Sequence, residues 1–198
     1  MKRLLNAAWR TWVGLTRPTS RGNLRRLQKR GESLESLVIR DATPADIAAL
    51  ARLHVDTWNA TYAPFGLKGP GVEVRERQWR EKFMKRDADW CCLLVQRSDG
   101  KLVGFAQADR SDSSEYEGQL GKLHLLRDYQ RLGLGRRLIG RVARHFASRG
   151  IRSMWLFGDP RNPSSRAWLA LGAEKCDSDP DSGNYGWRDI IPLTRLPE

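Results

Sequence analysis

From Leu37 onward, short β-rich runs alternate with stretches whose apolar residues recur every three or four positions. "LVIRD" reads as a first strand. Thr43 and Pro44 start a helix: a capping hydroxyl, then a proline where a missing N–H does no harm. Ile47, Leu50, Ala51, Val55 and Trp58 follow at helical spacing and give one apolar face. The Gly- and Pro-rich stretch from Tyr62 to Gly71 reads as a loop. A polar helix follows over Glu73 to Arg86, with Trp79 and Phe83 at i, i+4 facing inward. "DWCCLLVQR" and "KLVGFAQAD" flank "SDG", the pattern of a hairpin turning at Asp99-Gly100. "GQLGKLHLL" is a further strand. "RRLIGRVARHFASRG" is an amphipathic helix through Leu138, Ile139, Val142, Ala143 and Phe146, closed by Gly150. "IRSMWLF" is a buried strand. Asn162 caps a short helix with Pro163 at its first position, running to Leu171, and "YGWRDIIPL" is a last strand. The order β α α β β β α β α β predicts an α/β (α+β) domain, a mixed sheet flanked by helices, over residues 37–198. No internal repeat is visible.

The segment before it differs. Residues 1–31 hold nine basic side chains and no acid, which accounts for nine of the chain's net +12. Leu4, Leu5, Ala8, Trp12 and Leu15 can share one helical face with basic residues around it. Pro18 to Gly22 interrupts that helix, and Leu24 to Ser36 reads as a polar linker with room for a helical turn. Residues 1–36 are therefore expected to be a basic arm and linker, partly helical or disordered. Such an arm suits an anionic membrane surface, RNA or an organelle import system, and a plain solvated tail stays equally open.

Composition narrows the class. The hydrophobic fraction of 40% supports a real core, and 198 residues suit one domain with an extension. No apolar run is long enough to cross a bilayer, and the N-terminus lacks a signal-peptide core. Three cysteines, two of them adjacent (Cys91, Cys92 and Cys176), argue against a disulfide framework and for a reducing cytoplasm. No Cys/His cluster has zinc spacing, so no metal is expected.

The candidate chemistry sits in "DYQRLGLGRRL", residues 128–138. Gly133 and Gly135 lie between a strand and an amphipathic helix. A turn there presents outward main-chain N–H groups to a helix N-terminus, where a phosphate is the natural guest. Arg131, Arg136 and Arg137 add charge. The dinucleotide fingerprint fails because its third glycine position is Leu138, and the P-loop fails because it lacks Gly-Lys-Ser/Thr. What remains is Q-x-x-G-x-G: Gln130, Gly133, Gly135.

With that pattern the chain resembles the GNAT family of acetyl-CoA-dependent N-acetyltransferases. The resemblance spans roughly residues 37–194. It rests on "IRDATPADIAALARLHVDTWNATY", "LLVQRSDGKLVGFAQA", "DYQRLGLGRRL" and "NPSSRAWLALGAE" in this order. It implies a GNAT-like acyl-CoA N-acyltransferase fold with a mostly antiparallel sheet and acetyl-CoA as cosubstrate. The diphosphate of coenzyme A is then held by the backbone of Arg131, Leu132, Gly133, Leu134, Gly135 and Arg136, beside Gln130. The pantetheine arm adds like a strand along Leu123 to Leu125, in a gap opened by a bulge, and residues from Asn162 on line the other wall. Trp58 and Tyr62 fall where the family forms its acceptor pocket, or they are a hydrophobic lid.

The chain also departs from the family pattern. Many relatives have a glutamate near the start of the fourth strand; here that position is Gln119, which cannot act as a base. Glu117, two residues earlier, can share its face and serve as the base, or it is an ordinary loop carboxylate. A tyrosine common in the last helix is replaced by Trp168 and Leu169, which leaves Tyr185 as a substitute acid beside the alternative of core packing. His124 has the pKa range of a base, or points into the core. His54 reads as a satisfied structural histidine, Tyr129 as part of the signature turn and His145 as surface. The expected activity is acetyl transfer to a primary amine of a small molecule or protein N-terminus. Two alternatives stand beside it: a catalytically weak acyl-CoA-binding module, and a protein tethered to membrane or RNA through its arm. A homodimer stays open.

Overall fold

The computed structural model describes residues 19–160, 162, 166–177 and 183–198. The elements are α1 (Ser20–Lys29), β1 (Val38–Asp41), α2 (Ile47–Tyr62), α3 (Val72–Lys85), β2 (Cys91–Gln96), β3 (Leu102–Arg110), β4 (Gly118–Leu125), α4 (Leu134–Ala147), β5 (Met154–Phe157), α5 (Arg166–Leu169), β6 (Glu174–Lys175), β7 (Asn184–Trp187) and α6 (Ile191–Thr194). The strands form one sheet in the order β1-β2-β3-β4-β5-β7-β6. Every pairing is antiparallel except β4 with β5, which α4 connects. The mixed, mostly antiparallel sheet flanked by helices is the class expected from the hydrophobic pattern.

Two cores cover its faces. On one face Leu138, Ile139, Val142 and Phe146 of α4 pack on Val103, Ala106, Ala108, Leu120, Met154 and Leu156. On the other, Leu50, Ala51 and Leu53 of α2 and Trp79 and Phe83 of α3 pack on Cys92, Leu94, Leu102 and Phe105. The period-2 exchange of faces along β2 and β3 explains why these strands read as nearly continuous apolar runs. Asp46 makes the expected helix start firmer than a lone Thr43: its carboxylate accepts from the Thr43 N–H at 2.8 Å and pairs with Arg40 at 2.6 Å.

Three expectations change. "YGWRDIIPL" is not one strand: β7 ends at Trp187, and Ile191–Thr194 turns helical. There Asp189 Oδ1 accepts the Ile191 N–H and Pro192 sits in the first turn. Of the helix expected from Asn162 to Leu171, α5 covers Arg166–Leu169; residues 163–165 lie outside the described residues.

The third change concerns the linker. Residues 20–29 form a helix of ten residues, capped by Thr19 Oγ1 accepting from the Gly22 N–H at 3.0 Å. Asn23 and Leu27, one turn apart, are fully buried. Leu27 joins the α4-side core. Arg26 and Arg30 reach Asp128, and Glu32 takes Arg30 and Arg97 at 3.0 Å each. Part of the basic stretch is thus spent on internal acids. The amphipathic helix expected over Leu4 to Leu15 lies outside the described residues. No helix among the described residues is long and apolar enough to cross a membrane.

Candidate active site

The site is built around β4. β4 pairs with β5 only at Gly118 and Gln119, opposite Met154 and Trp155. Beyond Gln119 the two strands part, while β4 stays paired with β3 as far as Leu125. The register slips between Gln107 and Ala108, which face Lys122 and Leu120, so Gly121 is an extra residue in β4. Such a bulge twists one strand away from its neighbour. Among the described residues, the β5-facing edge of β4 has no strand partner over Leu123–Leu125.

At the end of β4 the chain passes through a short 3-10 turn, Arg127–Tyr129, into the glycine-containing loop. Gly133, φ 85°, is the N-cap of α4 in the left-handed region. Arg131 joins it there with φ 63°, the one non-glycine residue with positive φ among those described. Alternating left-handed residues turn successive N–H groups to one side and form an anion-binding concavity. The N–H groups of Arg131 to Arg136 have no main-chain acceptor among the described residues. The helix dipole adds positive potential there.

Gly135 is different from Gly133. A Cβ at Gly135 would meet only Leu123 Cδ2 and Leu125 Cδ1, each at 3.9 Å, in ordinary contact. Its lack of a side chain is therefore not required by packing. Leu134 is buried, so only its main chain faces the loop, while Arg131 and Arg136 are exposed. Leu132 packs on the α4-side core. Gln130 ties the loop to the strand: its Nε2 donates to Leu125 O at 3.0 Å. Tyr129 is buried and donates its hydroxyl to Glu32, so it is structural, as read from the sequence. Asn162 is half-buried, with its N–H donating to Asp159 O at 2.8 Å.

The opposite face of β4 borders a cavity of about 750 Å³ under α2 and α3. Its wall includes His54, Arg75, Trp79, Lys82, Asp109 and Lys122. Lys122 Nζ lies 5.7 Å from the centroid of the Trp79 ring and 3.4 Å from Gln107 Oε1. Asp109, on the same cavity wall, already accepts from Lys82 at 2.8 Å and from Gln107 Nε2 at 2.9 Å. Burial, then Lys82, push the Lys122 ammonium down to about 8, against the opposing pull of Asp109.

Behind this wall His124 stacks on Phe105, ring centroids 5.1 Å apart, with His54 at 5.2 Å. Burial, then the neighbouring Lys122, push His124 down to about 4. Burial, then His124, push His54 down to about 2. Both rings are neutral at physiological pH. His54 is not the satisfied histidine expected: among the described residues its Nδ1 has no hydrogen-bond partner, and its ring packs edge-on against Trp79 and Phe105. His145 is half-buried rather than surface, its Nε2 3.0 Å from Asp89 O.

The three side chains proposed for proton transfer do not meet. His124 lies behind the cavity wall. Glu117 stands exposed just before β4, its carboxylate accepting the N–H of Arg152, two residues before β5. Tyr185 is buried in β7 within the α4-side core, with Lys175 Nζ 5.3 Å from its ring centroid. Trp58 and Tyr62 stack on each other, centroids 4.8 Å apart, and Trp58 also covers Gly69. They are not on the cavity wall. Lys122 was missed from sequence, where a lysine in an alternating strand reads as solvent-facing. The signal was Gly121 before it, since a strand glycine often marks a bulge that re-aims the next side chain. Among the described residues no group of three or more His, Cys, Asp or Glu side chains is placed to hold a metal.

Comparison with known proteins bears on this geometry. The sequence model of the Acetyltransferase (GNAT) family matches residues 34–173. An uncharacterized N-acetyltransferase of Bacillus subtilis, YuaI, is 30% identical over 174 residues, covering 81% of this chain and 98% of that protein. Among solved structures, PaiA N-acetyltransferase from Thermoplasma acidophilum, in complex with coenzyme A, superposes with a TM-score of 0.57 at 21% identity, over 76% of this chain and 98% of that one. YncA from Salmonella typhimurium, solved with its cofactor acetyl-CoA, gives 0.55 at 20% identity, over 71% and 81%. At such identities the structural likeness speaks for the fold.

Proposed function

The chain belongs to the GNAT family of acetyltransferases, and from that premise we propose that it moves an acetyl group from acetyl-CoA to a primary amine by direct attack in a ternary complex. The observation that carries this reading is the parting of β4 from β5 directly beside the Arg131–Gly133 turn. The turn supplies N–H groups for a diphosphate, and the open edge of Leu123–Leu125 supplies main-chain partners for pantetheine. The relatives solved with coenzyme A and acetyl-CoA support the same donor.

The thioester then lies between β4 and β5, and the amine approaches from the cavity under α2 and α3. The attacking nitrogen must lose a proton, and the carbonyl oxygen must be stabilised as it gains charge. Main-chain N–H groups on the open edge of β4 answer the second need. For the first we assign Lys122. It lines the cavity one residue past the bulge, and its ammonium titrates near 8, so an appreciable fraction is neutral at physiological pH. His124, at about 4, is too weak a base for an ammonium. The coenzyme A thiolate leaves without a dedicated acid, since Trp168 and Leu169 stand where relatives often have a tyrosine and Tyr185 is held in the core.

A second reading has one observation in its favour. Glu117, His124 and Tyr185 occupy three separate places, which suits an acyl-CoA-binding module that has lost turnover. A thioester-consumption assay over a panel of amines, run beside calorimetry with coenzyme A, separates the two. Turnover with any amine supports the enzyme. Tight binding without turnover supports the module, and no binding removes both.

A further inference from the structure

We propose that Asn23, on helix α1, is a positioning residue that aims the phosphate-binding turn of this chain. The inference rests on the reading of that turn as a diphosphate site. Helix α1 lies before residue 34, outside the family match, so nothing in the shared domain supplies this contact.

The geometry is specific. Asn23 is fully buried. Its single Nδ2 donates to Arg127 O at 2.9 Å and to Gln130 O at 2.8 Å, using both of its protons. Its Oδ1 accepts from Arg26 Nη1 at 2.9 Å, which fixes which end of the amide faces the turn. Arg26 and Arg30 then meet Asp128 at 3.5 and 2.7 Å, on the same stretch of chain.

The two carbonyls are the right ones to hold. No cis peptide bond occurs among the described residues, and in a trans peptide the C=O and the following N–H point in opposite directions. Holding Gln130 O inward on Asn23 therefore turns the Arg131 N–H the other way, out of the buried side. Arg131 is also the residue with φ 63°, a conformation that a non-glycine residue keeps only when its surroundings impose it. The Asn23 amide that holds this carbonyl is itself fully buried, so both of its N–H groups need acceptors and the two turn carbonyls supply them. Asn23 thus satisfies the back of the turn so that its front presents N–H groups to an anion. Leu27, one helical turn away, contributes only packing.

The test uses the full chain and three proteins: wild type, Asn23→Asp and Leu27→Ala. Asn23→Asp keeps the shape but removes both N–H donors. Calorimetry with coenzyme A is expected to show Kd raised at least about tenfold for Asn23→Asp, the effect of misaligning hydrogen bonds to a charged group. Leu27→Ala should lower the melting temperature while leaving that Kd within about twofold, because it empties core space and leaves the amide contacts in place. Amide NMR of the ligand-free proteins gives a second readout: the Arg131 N–H signal should shift in Asn23→Asp and not in Leu27→Ala. Equal Kd and an unmoved Arg131 signal in Asn23→Asp, with wild type binding normally, would overturn the role of Asn23 alone. Equal losses in both variants would also overturn it, by making α1 a structural brace. Failure of wild type to bind coenzyme A would overturn the diphosphate reading and this inference with it.

Discussion

The two faces of β4 are built from different materials. On the α4 face the working groups are main-chain N–H groups in a turn, and side chains matter there chiefly by their absence or by holding the turn from behind. On the α2–α3 face they are side chains drawn from four elements: Lys122, His54 and Arg75, whose acidity burial shifts, with Asp109 beside them. A main-chain site depends on local conformation and tolerates changes in the side chains it does not use. A side-chain site depends on every element that packs against it. Under the function proposed above, the first kind suits the constant part of the reaction, the nucleotide, and the second suits the acceptor.

The sharpest way to break this contrast is at the two glycines. Gly135→Val should weaken coenzyme A binding by about 100-fold, since a branched side chain blocks hydrogen bonds to phosphate worth about 1.5–3 kcal/mol each. Because Gly135 has negative φ and free space, Gly135→Ala should leave the melting temperature unchanged while still weakening binding. Gly133→Ala should do the reverse first: at φ 85° a Cβ costs about 1–2 kcal/mol of fold stability. Calorimetry and thermal melts on the three variants check this. If Gly135→Val bound coenzyme A as wild type does, the main-chain site would have to be moved.

The same contrast explains what sequence could reveal. The turn was legible because its parts are consecutive: Gln130, Gly133, Gly135 and the arginines lie in one eleven-residue stretch between a strand pattern and a helix pattern. The sheet was legible because β2, β3 and α4 carry strong periods. The cavity was not, because Lys122, Arg75 and His54 are far apart in sequence and each is unremarkable alone. Only the register slip at Gly121 brings Lys122 to its place. Helix α1 was hidden for a different reason. The buried part of its interface is one apolar side chain and one asparagine, so no apolar stripe announced it. IIPL looked like strand because apolar β-branched residues are strand formers, yet a proline in the first turn and Asp189 capping Ile191 favour a helical turn.

The side-chain site can be probed by Lys122→Met. This should lower kcat by about tenfold or more, the lower part of what positioned acid–base catalysis supplies. It should also remove a rise in rate through pH 8. Repeating the profile with two amines of different basicity separates the enzyme's limb, which stays in place, from the acceptor's, which moves. Lys122 also has a folded-state pKa below its unfolded value of 10.5. The unfolded chain therefore binds the extra proton between about 8 and 10.5, and stability rises across that window in wild type but not in Lys122→Met.

A smaller effect comes from the histidine pair. Both rings are held below their ordinary value of 6.5, His124 to about 4 and His54 to about 2. Unfolding below pH 6.5 thus takes up protons that the folded protein refuses. The stabilising effect is complete above 6.5 and fades as pH falls, first through His124's value and then through His54's. Melting temperature should drop steadily from pH 6.5 to pH 4. His124→Phe, which keeps the stack on Phe105, should make that slope shallower. An unchanged slope would mean that these rings are charged in the folded protein and that the cavity is wetter than its packing implies.

The smallest effect is expected at Glu117, and it tests whether catalysis belongs to the cavity at all. Its carboxylate accepts the Arg152 N–H and so fastens the chain just before β4 to the chain just before β5, at the closed end of the gap. Glutamine keeps an acceptor oxygen at the same place. Glu117→Gln should therefore leave the fold, the coenzyme A affinity and the pH profile of kcat/KM within about twofold of wild type, as for a surface change that keeps its hydrogen bond. A loss confined to low pH, where the acceptor amine most needs help shedding a proton, would instead make Glu117 the base. Lys122 would then be left to shape the cavity, and the division of labour between the two faces of β4 would shift to its two ends.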